Sequence, residues 1–166
     1  MTLLKTSDAL VIVHPGSALR GPSTKLSMQW TLAGEWRGPA FIIEDDAPRD
    51  GIMPAAASYQ AVLDEVAEER EAKGVQCRYP GGDEAGLLEN ACDEISKTIA
   101  PGAHITVTGA WADGCVAAAA QCFAQAGFEV SIDASAIWPD EVDEEADRQM
   151  QARLAALMKD IRPKGS

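Results

Sequence analysis

A thiol at the junction of a strand and a helix is the group in this sequence best placed to do chemistry. From Thr106 the chain runs through Val107 and Thr108 to Gly109, then Trp111, Asp113, Gly114, Cys115 and Val116. A cysteine where a parallel strand has ended and the next helix begins feels unpaired backbone N–H groups and the positive end of the helix dipole. Both favour the thiolate, and hence attack on an electrophilic carbon. The same position also suits a small apolar residue filling a tight βα turn, since free cysteine is among the most buried residue types. Spacing alone leaves both readings open. Trp111, beside the thiol, is placed to wall a pocket.

Competing chemistries lack their residues. No GxGxxG follows the first strand, no GxxxxGK[ST] occurs, and no GxSxG elbow is present, so dinucleotide, P-loop and serine-hydrolase sites are not expected, and no cofactor is expected. Cys77, Cys92 and Cys122 form no CxxC pair or zinc spacing with Cys115, and read as structural thiols. Asp45 and Asp46 end a strand, but the two histidines offer them no ligand set, so no metal is expected. His104 opens a strand at the end away from the carboxyl ends and reads as a surface residue. Trp30 and Trp36 read as packing or interface residues; Trp138 fits either packing or a pocket wall.

The elements that must position the thiol follow from patterning. Ala9 to Val13 is a continuous apolar, β-branched run closed by His14-Pro15-Gly16, the mark of a strand buried on both faces. Ser23-Thr24 offers an N-cap to a helix with Leu26, Trp30 and Ala33 on one face, ending near Gly34. Ala40 to Ile43 is a second strand. Between Pro54 and Lys73, Tyr59, Val62, Leu63 and Val66 make a helical stripe. Val75 to Cys77 reads as a short third strand, and Tyr79 to Asp83 as a turn. Leu88, Ala91, Cys92, Ile95 and Ile99 are the inward face of the next helix. His104 to Thr108 is a fourth strand closed by Gly109. Gly114 to Ala126 is a small-residue helix with Val116, Ala119, Ala120 and Phe123 inward and Gly127 as its C-cap. Phe128 to Ile132 is a fifth strand, and an amphipathic helix at about 140–161 carries Met150, Leu154, Leu157 and Ile161.

Strands alternating with helices imply a three-layer α/β/α fold with a mostly parallel central sheet of five or six strands, spanning 1–166 as one domain. Ligands bind such sheets outside the carboxyl ends of the strands, near the switch in strand order. The chain has 166 residues, 14 Lys+Arg against 26 Asp+Glu and a net charge of -12, which weighs against a nucleic-acid backbone as partner. No window approaches a membrane span, and the opening residues are too charged for an export signal. The expectation is a cytoplasmic protein with reduced thiols, acting on a small molecule, with no nucleic-acid or membrane partner. The C-terminal stripe must be buried on this subunit or on a neighbour.

The run Val107-Thr-Gly109, then Asp113-Gly114-Cys115-Val116, a small-residue helix, and Gly127 to Val130 leading to Asp133-Ala134 resembles the isochorismatase-like cysteine hydrolases. The resemblance is most specific over Ile105 to Ala136, and the element order from Ala9 onward resembles the same fold. It implies hydrolysis of a small amide or related C–N bond, or of a vinyl ether, with Cys115 as nucleophile in a triad of aspartate, lysine and cysteine. It also implies a dimer or tetramer, so a homo-oligomer is expected. Asp113 and Gly114 join Trp111 as substrate-contact candidates.

Two positions depart from that triad. Where the family's aspartate ends the first strand this chain has His14, and the match to its lysine is Arg78. Arginine holds its proton far above neutral pH, so it can clamp an anion but cannot shuttle a proton. Two readings follow. In one, His14 replaces the carboxylate as base, Arg78 holds an anionic group, and backbone N–H groups near Gly114 and Cys115 stabilise an oxyanion. In the other, the fold remains and the reaction is lost, leaving a pseudoenzyme that binds a ligand or partner subunit.

Overall fold

A computed structural model of the chain describes residues 8–15, 29, 32–44, 54–81, 86–110, 112–138 and 144–160. Strand β1, Ala9–Val13, is fully buried at every position, as a β-branched run inside a parallel sheet must be. Val11 and Val13 point to one hydrophobic cluster, Leu10 and Ile12 to the other. This strand is the centre of the molecule, because both layers of helices are packed on its two sides.

Helix α1 is described at residue 29 and over 32–35. Then follow β2 (Ala40–Glu44), α2 (Pro54–Ala72), β3 (Arg78–Pro80), α3 (Leu87–Ser96) and β4 (His104–Ala110). A π-helical turn over Ala112–Val116 leads into α4 (Ala117–Gln125), β5 (Glu129–Trp138) and α5 (Glu144–Asp160). The five strands pair in parallel in the order β3-β2-β1-β4-β5. Leu88, Ala91, Cys92 and Ile95 of α3 and Ala119, Ala120 and Phe123 of α4 pack with Val11, Phe41 and Val107 on one face. Ala33 of α1 and Leu63 and Ala67 of α2 pack with Leu10, Ile12 and Ile42 on the other. The arrangement is the expected three-layer α/β/α fold. No helix among the described residues is long and apolar enough to cross a membrane.

Three expectations about elements need correction. The third strand starts at Arg78, not Val75: Cys77 O accepts from Ile42 N before the ladder pairs Ile42 with Arg78, and Val75 is 46% exposed. The strand then includes Pro80, which an edge position tolerates because an edge strand leaves one side of its backbone unpaired. Gly109 does not close β4. It sits inside the strand at a register shift, with φ 127° and its backbone so close to β1 that an added Cβ would meet Val13 O. The fifth strand runs on to Trp138, since residues after the shift continue the ladder, with Ala110 opposite Trp138.

The C-terminal helix, expected at about 140–161, is found at Glu144–Asp160, beside β5 and the Ala112–Val116 turn. The side chains of Met150, Leu154 and Leu157 lie outside the described residues, as does Ile161. So do Asp45, Asp46, Trp30 and the expected Ser23-Thr24 cap.

Candidate active site

The chain leaves β1 for β2 and then β3 on one side, and returns to place β4 on the other side of β1. The switch in strand order therefore falls between β1 and β4. The connection after β1 enters α1 on one face of the sheet, while the connection after β4 enters α4 on the opposite face. Divergence of that kind opens a crevice at the carboxyl ends, where ligands of doubly wound sheets bind. Val13 pairs with Gly109 at its floor. The next residue on one lip is His14; the turn with Cys115 is on the other.

The Ala112–Val116 turn is not a regular helix, because Gly114 has φ -113° and ψ -107° and kinks the chain just before the thiol. Cys115 is half-buried against the apolar cluster under α3 and α4, while Gly114 is exposed. Helix α4 starts with Val116 as N-cap, which makes no side-chain capping bond. Val116 is itself helical, so α4 continues directly from the turn, and groups ahead of a helix lie at the positive end of its dipole, which favours a thiolate or an oxyanion there. Trp111 lies outside the described residues, as does the side chain of Asp113.

The other three thiols are held differently. Burial is the first cause pushing each of them up: Cys77 in the α2 cluster, Cys92 strongly, on α3, and Cys122 on α4. Cys92 and Cys122 also contact each other across α3 and α4, with Glu89 adding to the rise at both. None of the four cysteines is in a disulfide.

His14 is 2% exposed and has φ 49°, the one described non-glycine residue in the left-handed region. Its backbone N–H donates to Ile43 O at 2.8 Å, and its Nε2–H donates to Gly81 O at 2.5 Å. A carbonyl only accepts, so Nε2 carries the proton and Nδ1 is the nitrogen left to take one. Gly81 N in turn donates to Glu44 O at 2.9 Å. These three bonds tie together the ends of β1, β2 and β3, and they draw the imidazole toward β3. His14→Ala leaves a buried carbonyl at Gly81 unpaired, so urea melts are expected to show a loss of about 1–3 kcal/mol. A variant as stable as the parent would show that the strap carries no weight.

Arg78 is placed on the face of α2. It pairs with Ile42, whose side chain belongs to that face, and its guanidinium donates to both oxygens of Glu71, at 2.8 and 3.3 Å, with Asp64 3.9 Å away. Two strands, β2 and β1, stand between β3 and β4. The structure thus brings His14 and the Cys115 turn to neighbouring strand ends, and gives Arg78 a separate set of partners. A sequence signal existed for the second point: Asp64 and Glu71 are seven residues apart, on one helical face. The Arg78 hydrogen bond is the main cause lowering the Glu71 carboxyl below its usual 4.5. A depressed carboxylate stabilises the fold above its unfolded value and loses that contribution as pH falls through the folded one. The paired side chains are about one-third exposed, so Arg78→Met is expected to cost no more than about 1 kcal/mol at neutral pH. Denaturation curves of parent and variant should converge in strong acid; a gap that persists there would assign the cost to packing instead.

Two further residues at the crevice escaped sequence reasoning. Gln29 of α1 is fully buried and its Nε2–H donates to Gly109 O at 2.9 Å. Thr108, also fully buried, donates through Oγ1 to Asp133 O at 3.3 Å and so ties β4 to β5. A single polar residue in an amphipathic helix or a strand carries no pattern that marks it as structural or functional. His104, at the opposite end of β4, is only partly exposed and is 2.6 Å from Ser131 Oγ.

No protein-family model matches the chain, and no curated protein matches it.

Proposed function

We propose that the protein is a divergent isochorismatase-like cysteine hydrolase that cleaves a small amide or related C–N bond with Cys115 as nucleophile. The observation that supports this reading is the position of the half-buried Cys115, between the kink at Gly114 and the first residues of α4, on one lip of the switch-point crevice. In the reaction the thiol proton passes to Nδ1 of His14 as Cys115 Sγ bonds to the carbonyl carbon. Backbone N–H groups near Gly114 and Cys115 hold the oxyanion. The C–N bond then breaks, the leaving nitrogen takes the proton from His14, and an acyl thioester remains on Cys115. Water attacks that thioester, giving its proton to His14 and then to the departing thiolate, which releases the acid and restores the thiol. Arg78, held by Glu71 and Asp64, acts here through the scaffold, not on substrate.

A second reading has its own support. Both residues standing in for the triad's helpers are bound into the scaffold, His14 through Gly81 and Arg78 through α2. That favours a crevice that binds its ligand without turnover. In either reading the protein works on a small molecule as a cytoplasmic homo-oligomer, in keeping with its acidity and with four cysteines outside disulfides.

The test is a panel of primary amides, each incubated with the protein and quenched in acid, followed by mass analysis of the peptide carrying Cys115. The hydrolase reading expects release of the acid and an acyl increment on Cys115. Ligand-induced stabilisation without product or acyl adduct would replace it with the binding reading.

A further inference from the structure

We propose that Gln29 is the specificity-determining acceptor of the crevice, its Oε1 receiving an N–H of a bound primary amide. This rests on reading the crevice as the ligand site, and holds whether or not the ligand is hydrolysed. Because Nε2–H of Gln29 donates to Gly109 O at 2.9 Å, the orientation of its amide is fixed, and the amide lies at the residue that pairs with Val13 on the crevice floor. Its Oε1 is buried and accepts no hydrogen bond. The other described buried side-chain atoms without a partner, Trp36 Nε1 and Arg70 Nη1, are donors, so Gln29 supplies the one orphan side-chain acceptor among the described residues.

Buried polar groups are nearly always paired, and an acceptor shut away from bulk water calls for a donor brought to it. A primary amide carries two N–H donors. An ester of the same acyl group carries none, and would leave Oε1 unpaired. Discrimination of this kind is strong, because the wrong ligand leaves the site's own polar group unsatisfied. The same contact would orient the leaving nitrogen in the hydrolase reading, and would exclude esters in both.

Protection of Cys115 from N-ethylmaleimide tests this without turnover. Aliphatic and aromatic primary amides, butyramide and benzamide among them, are each compared with the methyl ester of the same acid. The expected result is protection by an amide at a concentration about tenfold or more below that of its ester, and a ratio within about twofold in Gln29→Leu, with unprotected alkylation of Cys115 unchanged. Should the leucine variant not fold, Gln29→Met, of nearly the same shape, takes its place. Equal protection by amide and ester in the parent, or a preference that survives in the variant, overturns the role of Gln29 and leaves the crevice reading standing. A Cys115 that does not react, or that no compound protects, overturns both.

Discussion

Cys115→Ala is expected to lower kcat/KM for any amide the protein hydrolyses by about a thousandfold or more, the scale on which removal of a covalent nucleophile acts. Its thermal midpoint should stay within about 4 °C of the parent, since about 1 kcal/mol moves a chain of this size by that much or less. The two parts of the prediction have separate causes. Cys115 is only half-buried, at the edge of the cluster under α3 and α4, so loss of one sulfur opens little space. Turnover, in contrast, needs the thioester, and alanine cannot form it. Activity that persists in this variant would remove Cys115 as the nucleophile. Activity lost together with a large fall in the midpoint would make the effect one of folding.

Gly109→Ala carries the largest expected effect on stability. A Cβ at this position would meet Val13 O at 2.1 Å, Val13 N at 2.6 Å and Val13 C at 2.8 Å, all backbone atoms of the central strand. No side chain can swing aside to admit it. The residue also has φ 127°, a conformation that a β-carbon disfavours, which adds about 1–3 kcal/mol to an overpacking cost of about 1–3 kcal/mol. Against a total stability of about 5–15 kcal/mol, much of the fold's margin is lost. Urea unfolding measures it directly. Gly127→Ala is the useful contrast, because Gly127 also has a positive φ, 98°, but an added Cβ there meets nothing within 4 Å. Equal destabilisation by the two variants would contradict the close approach of β4 to β1 as the reason glycine stands at 109.

How much of this was legible in the sequence depended on whether a residue's role is local. Ala9–Val13 and the inward face of α3 read correctly because burial on both faces of a strand, or on one stripe of a helix, writes a period into the apolar residues. Strand β3 did not, since three residues with a proline carry no period at all. Gly109 looked like a terminator because glycine both ends strands and marks bulges, and only the register with β5 separates the two. At the crevice, Cys115 was visible from its place between a strand and a helix. The bonds that decide what surrounds it were not. His14 to Gly81 spans 67 positions and Gln29 to Gly109 spans 80, with no residue pattern linking their ends. The resemblance placed His14 and Arg78 beside the thiol by analogy with a triad. Strand order and face put one at the neighbouring strand end and the other on the far face of the sheet.

That distribution gives the fold an internal control. Cys77, Cys92 and Cys122 share the protein, the solvent and the reagent with Cys115, and burial raises each of them, while Cys115, as partly exposed as Cys122, follows the kink at Gly114 just ahead of α4. Alkylation rates at all four thiols, followed by mass spectrometry across pH on the unmodified protein, therefore show whether Cys115 is the activated thiol. Cys115 alone should react quickly near neutral pH, with the other three responding only as the solution becomes alkaline. A Cys115 as slow as Cys92 at neutral pH would remove it as the nucleophile.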